Sequence, residues 1–116
     1  MTERDIHIAV ARLLDTVLEP PAIWSTFPAG GGGKARGGQF KAMGLKPGWP
    51  DIIILHPTGV FWIELKTAKG RLSPEQKEAH DLIHCARGHV AVCRSVDDVM
   101  TQLQMWLLPL RGRIAA

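Results

Sequence analysis

Apolar positions Ile6, Val10, Leu13, Leu14 and Val17 recur at helical spacing behind Thr2, a good capping residue, and Pro20-Pro21 forces an end to the helix they predict. Ala22 to Phe27, lying between prolines, mixes Ile, Trp, Thr and Phe and reads as a short strand. Asp51 to Leu55 and Val60 to Leu65 are β-branched, apolar or aromatic runs. His56-Pro-Thr-Gly59 separates them with Pro and Gly where a type I turn wants them, so the pair predicts a β-hairpin. Ser73 as cap, Pro74 at the first helical position and Gln76 at the third open a second helix to about Arg87, which Gly88 ends. His89 to Cys93 is patterned as a buried strand. Ser95 with Asp97 and Asp98 opens a last helix carrying Val99, Leu103, Trp106 and Leu107. The order αβββαβα predicts an α/β fold, a mixed sheet flanked by helices, in one domain over residues 1–116, with no internal repeat.

The hairpin carries the first hint of chemistry. If His56 pairs with Gly59, counting back along both strands brings Asp51 opposite Glu64, at the roughly 4.5 to 5.5 Å Cβ spacing of cross-strand neighbours. Both carboxylates then reach one cation, and Lys66, two positions beyond Glu64, projects from the same face. A bulge at Gly59 would slip this register and spoil the opposition. Glu-x-Lys on a strand is by itself most often a solvated face. Here, however, Asp51 and Glu64 bracket twelve residues without Asp, Glu, Lys or Arg, in a segment apolar enough to be central. Like charges opposite each other destabilise a sheet, and a cation that neutralises both removes the penalty.

Charge distribution adds a polyanionic partner. The net charge is only +3, but no acidic residue occurs between Glu19 and Asp51, whereas Lys34, Arg36, Lys41 and Lys46 all fall there. That stretch reads as a phosphate-contacting surface. Ala29 to Gly38, with six glycines, lacks side chains to build a core, which predicts a flexible basic loop at about 28–40 that orders on a ligand. It is not a nucleotide-binding loop, because Pro28 stands where that motif needs Gly and Ala35 where it needs a hydroxyl, so no nucleotide cofactor is expected. No apolar run is long enough for a membrane span, and the start Met1-Thr-Glu-Arg-Asp5 is unlike a signal peptide. A cytoplasmic protein with no membrane role is expected, and its two cysteines, Cys85 and Cys93, should be reduced thiols. His80 and His84, four apart on a helix with Cys85 or His89 nearby, form a possible zinc set, though such pairs usually bind nothing. Trp62 and Trp106 fall in patterned elements and are assigned to the core; Trp24 and Trp49 stay open.

Three ordered segments, Gly44-Leu-Lys-Pro-Gly-Trp-Pro-Asp51, Glu64-Leu-Lys66 and Gly70-Arg-Leu-Ser-Pro-Glu-Gln76, together resemble a VRR-NUC domain, a branch of the PD-(D/E)XK nucleases. The resemblance runs from about Glu3 to the last helix and implies a restriction-endonuclease-like core that acts as a metal-dependent DNA endonuclease. By that likeness Asp51 and Glu64 bind Mg²⁺ or Mn²⁺ with the main-chain carbonyl of Leu65, and Lys66 orients or deprotonates the attacking water. Glu3 matches a further acidic position and Gln76 the glutamine after the catalytic strand. Each also has a plain reading: Gln76 as Ser73's partner in a capping box, and Glu3 as a carboxylate in a helix's first turn. Lys69 and Arg71, just beyond the Glu-x-Lys strand, are candidate phosphate contacts or simply solvated turn residues. Trp49 departs from the small or β-branched residue more usual in the family. Stand-alone proteins of this kind suggest a homodimer acting on branched or junction DNA, in repair or phage replication. The rival reading is a non-catalytic DNA-binding module on the same fold, and a third is a zinc-stabilised structural protein.

Overall fold

The computed structural model describes residues 1–27 and 40–112. Lys34 and Arg36, with the glycine-rich stretch around them, lie outside the described residues. The elements are α1 (Glu3–Val17), β1 (Ile23–Thr26), β2 (Ile52–His56), β3 (Gly59–Leu65), α2 (Pro74–Cys85), β4 (His89–Cys93) and α3 (Val96–Met105). Their order is the expected one. The strands form one sheet in the order β1-β2-β3-β4, antiparallel across the first two junctions and parallel between β3 and β4. The parallel pair needs a crossover, and α2 supplies it.

Side-chain alternation along β3 divides the molecule into two layers. Phe61, Ile63 and Leu65 join Ile52 and Ile54 on one face, closed by Ile6, Val10 and Leu14 of α1 and by Val99 and Leu103 of α3. Trp62 and Glu64 point the other way, towards α2. Each helix begins on a residue that satisfies its free N–H groups: Thr2 and Ser73 in reciprocal capping boxes with Asp5 and Gln76, and Ser95 accepting from the Asp98 amide.

The hairpin register is as counted: His56 faces Gly59 and Ile52 faces Ile63, with no slip at the turn. The ladder stops there, so Asp51 is not a strand partner of Glu64. Its N–H donates to the Ile63 carbonyl at 3.1 Å, and the preceding Pro50 has no N–H with which to continue. Other expectations need correction. β4 is a sheet edge, and only Cys93 is buried in it. Leu107 lies past the end of α3 with φ of 57° and its side chain in solvent. Trp62 is buried outside the main core, in an aromatic group with Phe27 and Trp49, whose centroids lie 5.2 Å from its own. Trp106 is partly buried against the core, as is Trp24, whose indole N–H donates to Asp15. No described helix is long and apolar enough to cross a membrane.

Gly48 fixes how the segment leading to Asp51 meets α2. Its φ is +86°, and a Cβ there would overlap the Glu75 carbonyl oxygen in the first turn of that helix. Gly48→Ala therefore combines backbone strain with a collision against main chain, which neither side can relieve by a rotamer change. We expect it to cost about 2–4 kcal/mol in urea unfolding, at the upper end of single substitutions. A loss below about 0.5 kcal/mol would show that this approach is loose.

Candidate active site

Among the described residues three polar or charged side chains are buried, Glu64, Lys66 and His80, and they belong to one place. Glu64 is 1% exposed. Burying a carboxylate is expensive unless something pairs with it, so its neighbours define the site. His80 Nε2 lies 3.1 Å from Glu64 Oε1, and Gln76 Nε2 donates to Glu64 Oε2 at a longer 3.5 Å. Gln76 also accepts the Ser73 N–H through its own Oε1, so it caps α2 while touching Glu64.

Asp51 reaches the same point from the other strand. Its Oδ2 accepts the Leu65 N–H at 2.7 Å, a donor that a longer ladder would have engaged, and its carboxyl lies within hydrogen-bonding reach of Glu64. Lys66 follows Leu65, with its own N–H donated to the Cys93 carbonyl on β4. Glu3, from the first turn of α1, lines a small cleft with Asp51 and Leu65, and its charge is felt at Glu64. Thus Asp51, Glu64, Leu65, Lys66, Gln76 and Glu3 converge. Lys69 and Arg71 are exposed on the loop just beyond, and Lys41 and Lys46 are exposed on the segment before Asp51.

Burial, then the Asp51 carboxyl and its charge, push Glu64 up to about 9, against the pull of Lys66. His80 is shifted down, first by burial and then by the charge of His84. Without a cation near neutral pH the contact is thus a hydrogen bond between a carboxylic acid and a neutral imidazole. The donors suit a hard divalent cation: two carboxylates, with the Leu65 main chain held beside Asp51. Mg²⁺ is commonly held by only one or two carboxylates plus water and substrate oxygens. The second sign of fit is that burial and Asp51 make Glu64 hold a proton, a place that a cation can take. Among the described residues no three His, Cys, Asp or Glu side chains gather as a ready metal cluster. His80 is committed to Glu64 while His84, Cys85 and His89 are exposed, which leaves the zinc set without a basis.

The VRR-NUC domain model matches residues 33–97, more than half of the chain. The chain belongs to the VRR-NUC family. The match takes in Asp51, Glu64, Lys66 and Gln76, and leaves α1 with Glu3 outside it. A solved structure described as a VRR_NUC domain protein superposes with a TM-score of 0.71, covering 92% of this chain and 88% of that one at 23% identity, which shows a shared fold. No curated protein matches the sequence.

From sequence, His80 was given another role and Arg94 was not named. His80 lies one helical turn after Gln76, so the two share a face of α2, and that spacing was available as a signal. Pairing His80 with His84 followed the same row of the helix in the other direction, away from Glu64 to an exposed position. Arg94 Nη1 donates to the carbonyls of Thr67 and Gly70, each at 2.7 Å, and so pins the loop that carries Lys69. Nothing local in the sequence marks a contact between the residue after β4 and that loop.

The shift at Glu64 gives a stability prediction with a definite sign. The folded chain keeps a proton that the unfolded chain, with an ordinary value of 4.5, has already lost, so cation-free stability falls as pH rises from there to about 9. His80, held neutral, acts in the opposite sense below about 6.5. The decline should therefore be cleanest between about pH 7 and 9, and millimolar Mn²⁺ should flatten it. Melting temperatures across that range, with Mn²⁺ and with chelator, check this; identical curves would contradict the arrangement of charges.

Proposed function

We propose that this chain is a divalent-cation-dependent nuclease hydrolysing DNA phosphodiesters at the cleft formed by Asp51, Glu64 and Lys66. The observation that carries the proposal is the buried Glu64 carboxyl beside a second carboxylate and a buried lysine, an arrangement that is unfavourable to the fold unless a cation joins it. Asp51, Glu64 and the Leu65 carbonyl would hold Mg²⁺ or Mn²⁺. Bound there, the cation supplies polarisation of the phosphate, a more acidic water and compensation of charge on the departing oxygen.

The chain's own groups do the rest. Lys66 holds the attacking water or takes its proton as the water oxygen bonds to phosphorus and one phosphorus–oxygen ester bond breaks. Gln76 and His80 fix the rotamer of Glu64, and Asp51 is held by the Leu65 amide. Glu3 adds negative charge to the cleft that it lines with Asp51 and Leu65. Lys41, Lys46, Lys69 and Arg71, with Lys34 and Arg36, position the phosphate backbone without reading sequence. The proposal includes a homodimer acting in the cytoplasm on branched or junction DNA, in repair or phage replication.

Incubation with labelled junction, flap, nicked and linear DNAs, in Mg²⁺, Mn²⁺ and chelator, tests this reading. Cleavage with either cation and none in chelator is expected, fastest on branched DNA. DNA bound but uncut under every condition would favour the non-catalytic binding module instead.

A further inference from the structure

A cavity of about 650 Å³ opens between α2 and the outer face of the sheet, next to the Asp51 cleft. Its walls are mainly apolar, with Trp49, Trp62, Leu82 and Ile83 prominent. Glu75 and Glu78 lie on the α2 side, and Lys46 and Arg87 stand among the lining residues. Three residues, Pro47, Trp49 and Glu75, also line the neighbouring cleft that contains Asp51 and Gln76, so the two spaces share a wall. Trp49 precedes Asp51 by two positions, and Trp62 precedes Glu64 by two on the same face of β3. Two strand residues span about 6.6 Å, a short step from the candidate metal ligands to the cavity.

The chemistry of this lining fits a planar heterocycle better than a phosphate. Aromatic and aliphatic walls offer stacking, and two carboxylates accept hydrogen bonds from exocyclic amino groups, as Glu does from cytosine. The same carboxylates repel a phosphate, whereas Lys46 and Arg87 can hold the backbone on either side. We propose that the cavity receives a nucleobase turned out of the strand being cut, beside the scissile phosphate, packed against Trp49 with its polar edge towards Glu75 and Glu78. Unpaired bases at junctions, flaps and single strands enter without the unpairing penalty that a duplex exacts, so the cavity selects branched over linear duplex DNA. The inference rests on the nuclease reading and specifies what lies beside the cut.

The test is a base-removal scan. Each position in turn of a short labelled single strand is replaced by an abasic nucleotide, and affinity is measured in chelator, where cleavage plays no part. For the wild-type chain one position should lose affinity by about 5- to 100-fold, the equivalent of roughly 1–3 kcal/mol for a stacked base. Trp49→Ala should bind the intact and abasic strands alike. Because Trp49 also touches Phe27 and Trp62, Ala79→Phe, which fills the cavity from α2, provides a second variant and should abolish the same difference. Sedimentation of each protein accompanies the scan. A flat scan for wild type overturns the proposal. So does a preserved difference in Ala79→Phe, including the case in which that variant changes only the oligomeric state, which would make the cavity a contact between copies. Failure of the nuclease reading shows separately, as a sensitive position in binding with no cleavage when Mn²⁺ is added.

Discussion

Glu64→Gln should abolish DNA cleavage while making the cation-free protein more stable. Glutamine keeps the size of the side chain and its hydrogen-bonding groups towards Gln76 and His80, but it cannot ionise. The folded site thus no longer has to keep a proton that the unfolded chain has already lost, which is what burial and the neighbouring Asp51 and Glu3 impose on Glu64. Cleavage in Mg²⁺ should fall by about three orders of magnitude, the scale seen when a group that stabilises transition-state charge is removed. At pH 8 in chelator the melting temperature should rise by several degrees, at roughly 4–8 °C per kcal/mol for a domain near this size. Asp51→Ala should lose activity to the same degree, with less gain in stability because the Leu65 amide loses its acceptor. Opposite signs for activity and stability in Glu64→Gln separate a functional carboxylate from a structural one. A glutamine variant that is less stable and fully active would show that Glu64 serves only the packing of α2 on the sheet.

Replacing Lys66 should break turnover and leave cation binding intact. The lysine is 8% exposed, and its aliphatic stem runs close to Gly70, so Lys66→Met preserves the packing while removing the ammonium group. A positioned proton-transfer or water-orienting group contributes typically 10²- to 10⁴-fold, and a loss in turnover of that order is expected. Mn²⁺ affinity, measured by calorimetric titration, should be equal or tighter, since the substitution removes a positive charge from beside the ligands. Loss of Mn²⁺ binding would contradict this division of labour between lysine and carboxylates.

The residues differ in how far their roles could be read from sequence. The α/β order and the hairpin register were legible because a two-residue connection between alternating runs leaves few pairings, and the register brought Asp51 and Glu64 together. The final rung was not legible. Pro50 ends the ladder, and Asp51 meets the site through its side chain and the Leu65 amide instead of through a strand pair. Gln76 had two readings from sequence; its oxygen makes the capping contact with Ser73, and its nitrogen reaches Glu64. His80 was misassigned because the rotation of α2 about its axis, which selects the face that meets Glu64, is set by packing of the whole helix. The exposure of β4 is a property of sheet order, which strand composition alone does not encode. Lys34 and Arg36 lie outside the described residues, so the basic stretch between Glu19 and Asp51 rests on charge pattern for half of its members.

If Asp51 and Glu64 are brought together to hold a divalent cation, anomalous diffraction from crystals grown in Mn²⁺ above pH 8, where proton competition at Glu64 is reduced, should locate it. One manganese peak is expected in the cleft bounded by the Asp51 and Glu64 carboxylates and the Leu65 main chain, and it should be lost in Glu64→Gln crystals grown alongside. A well-ordered site with no peak at millimolar Mn²⁺, or a peak at His84 and Cys85 instead, would contradict this role for the two carboxylates.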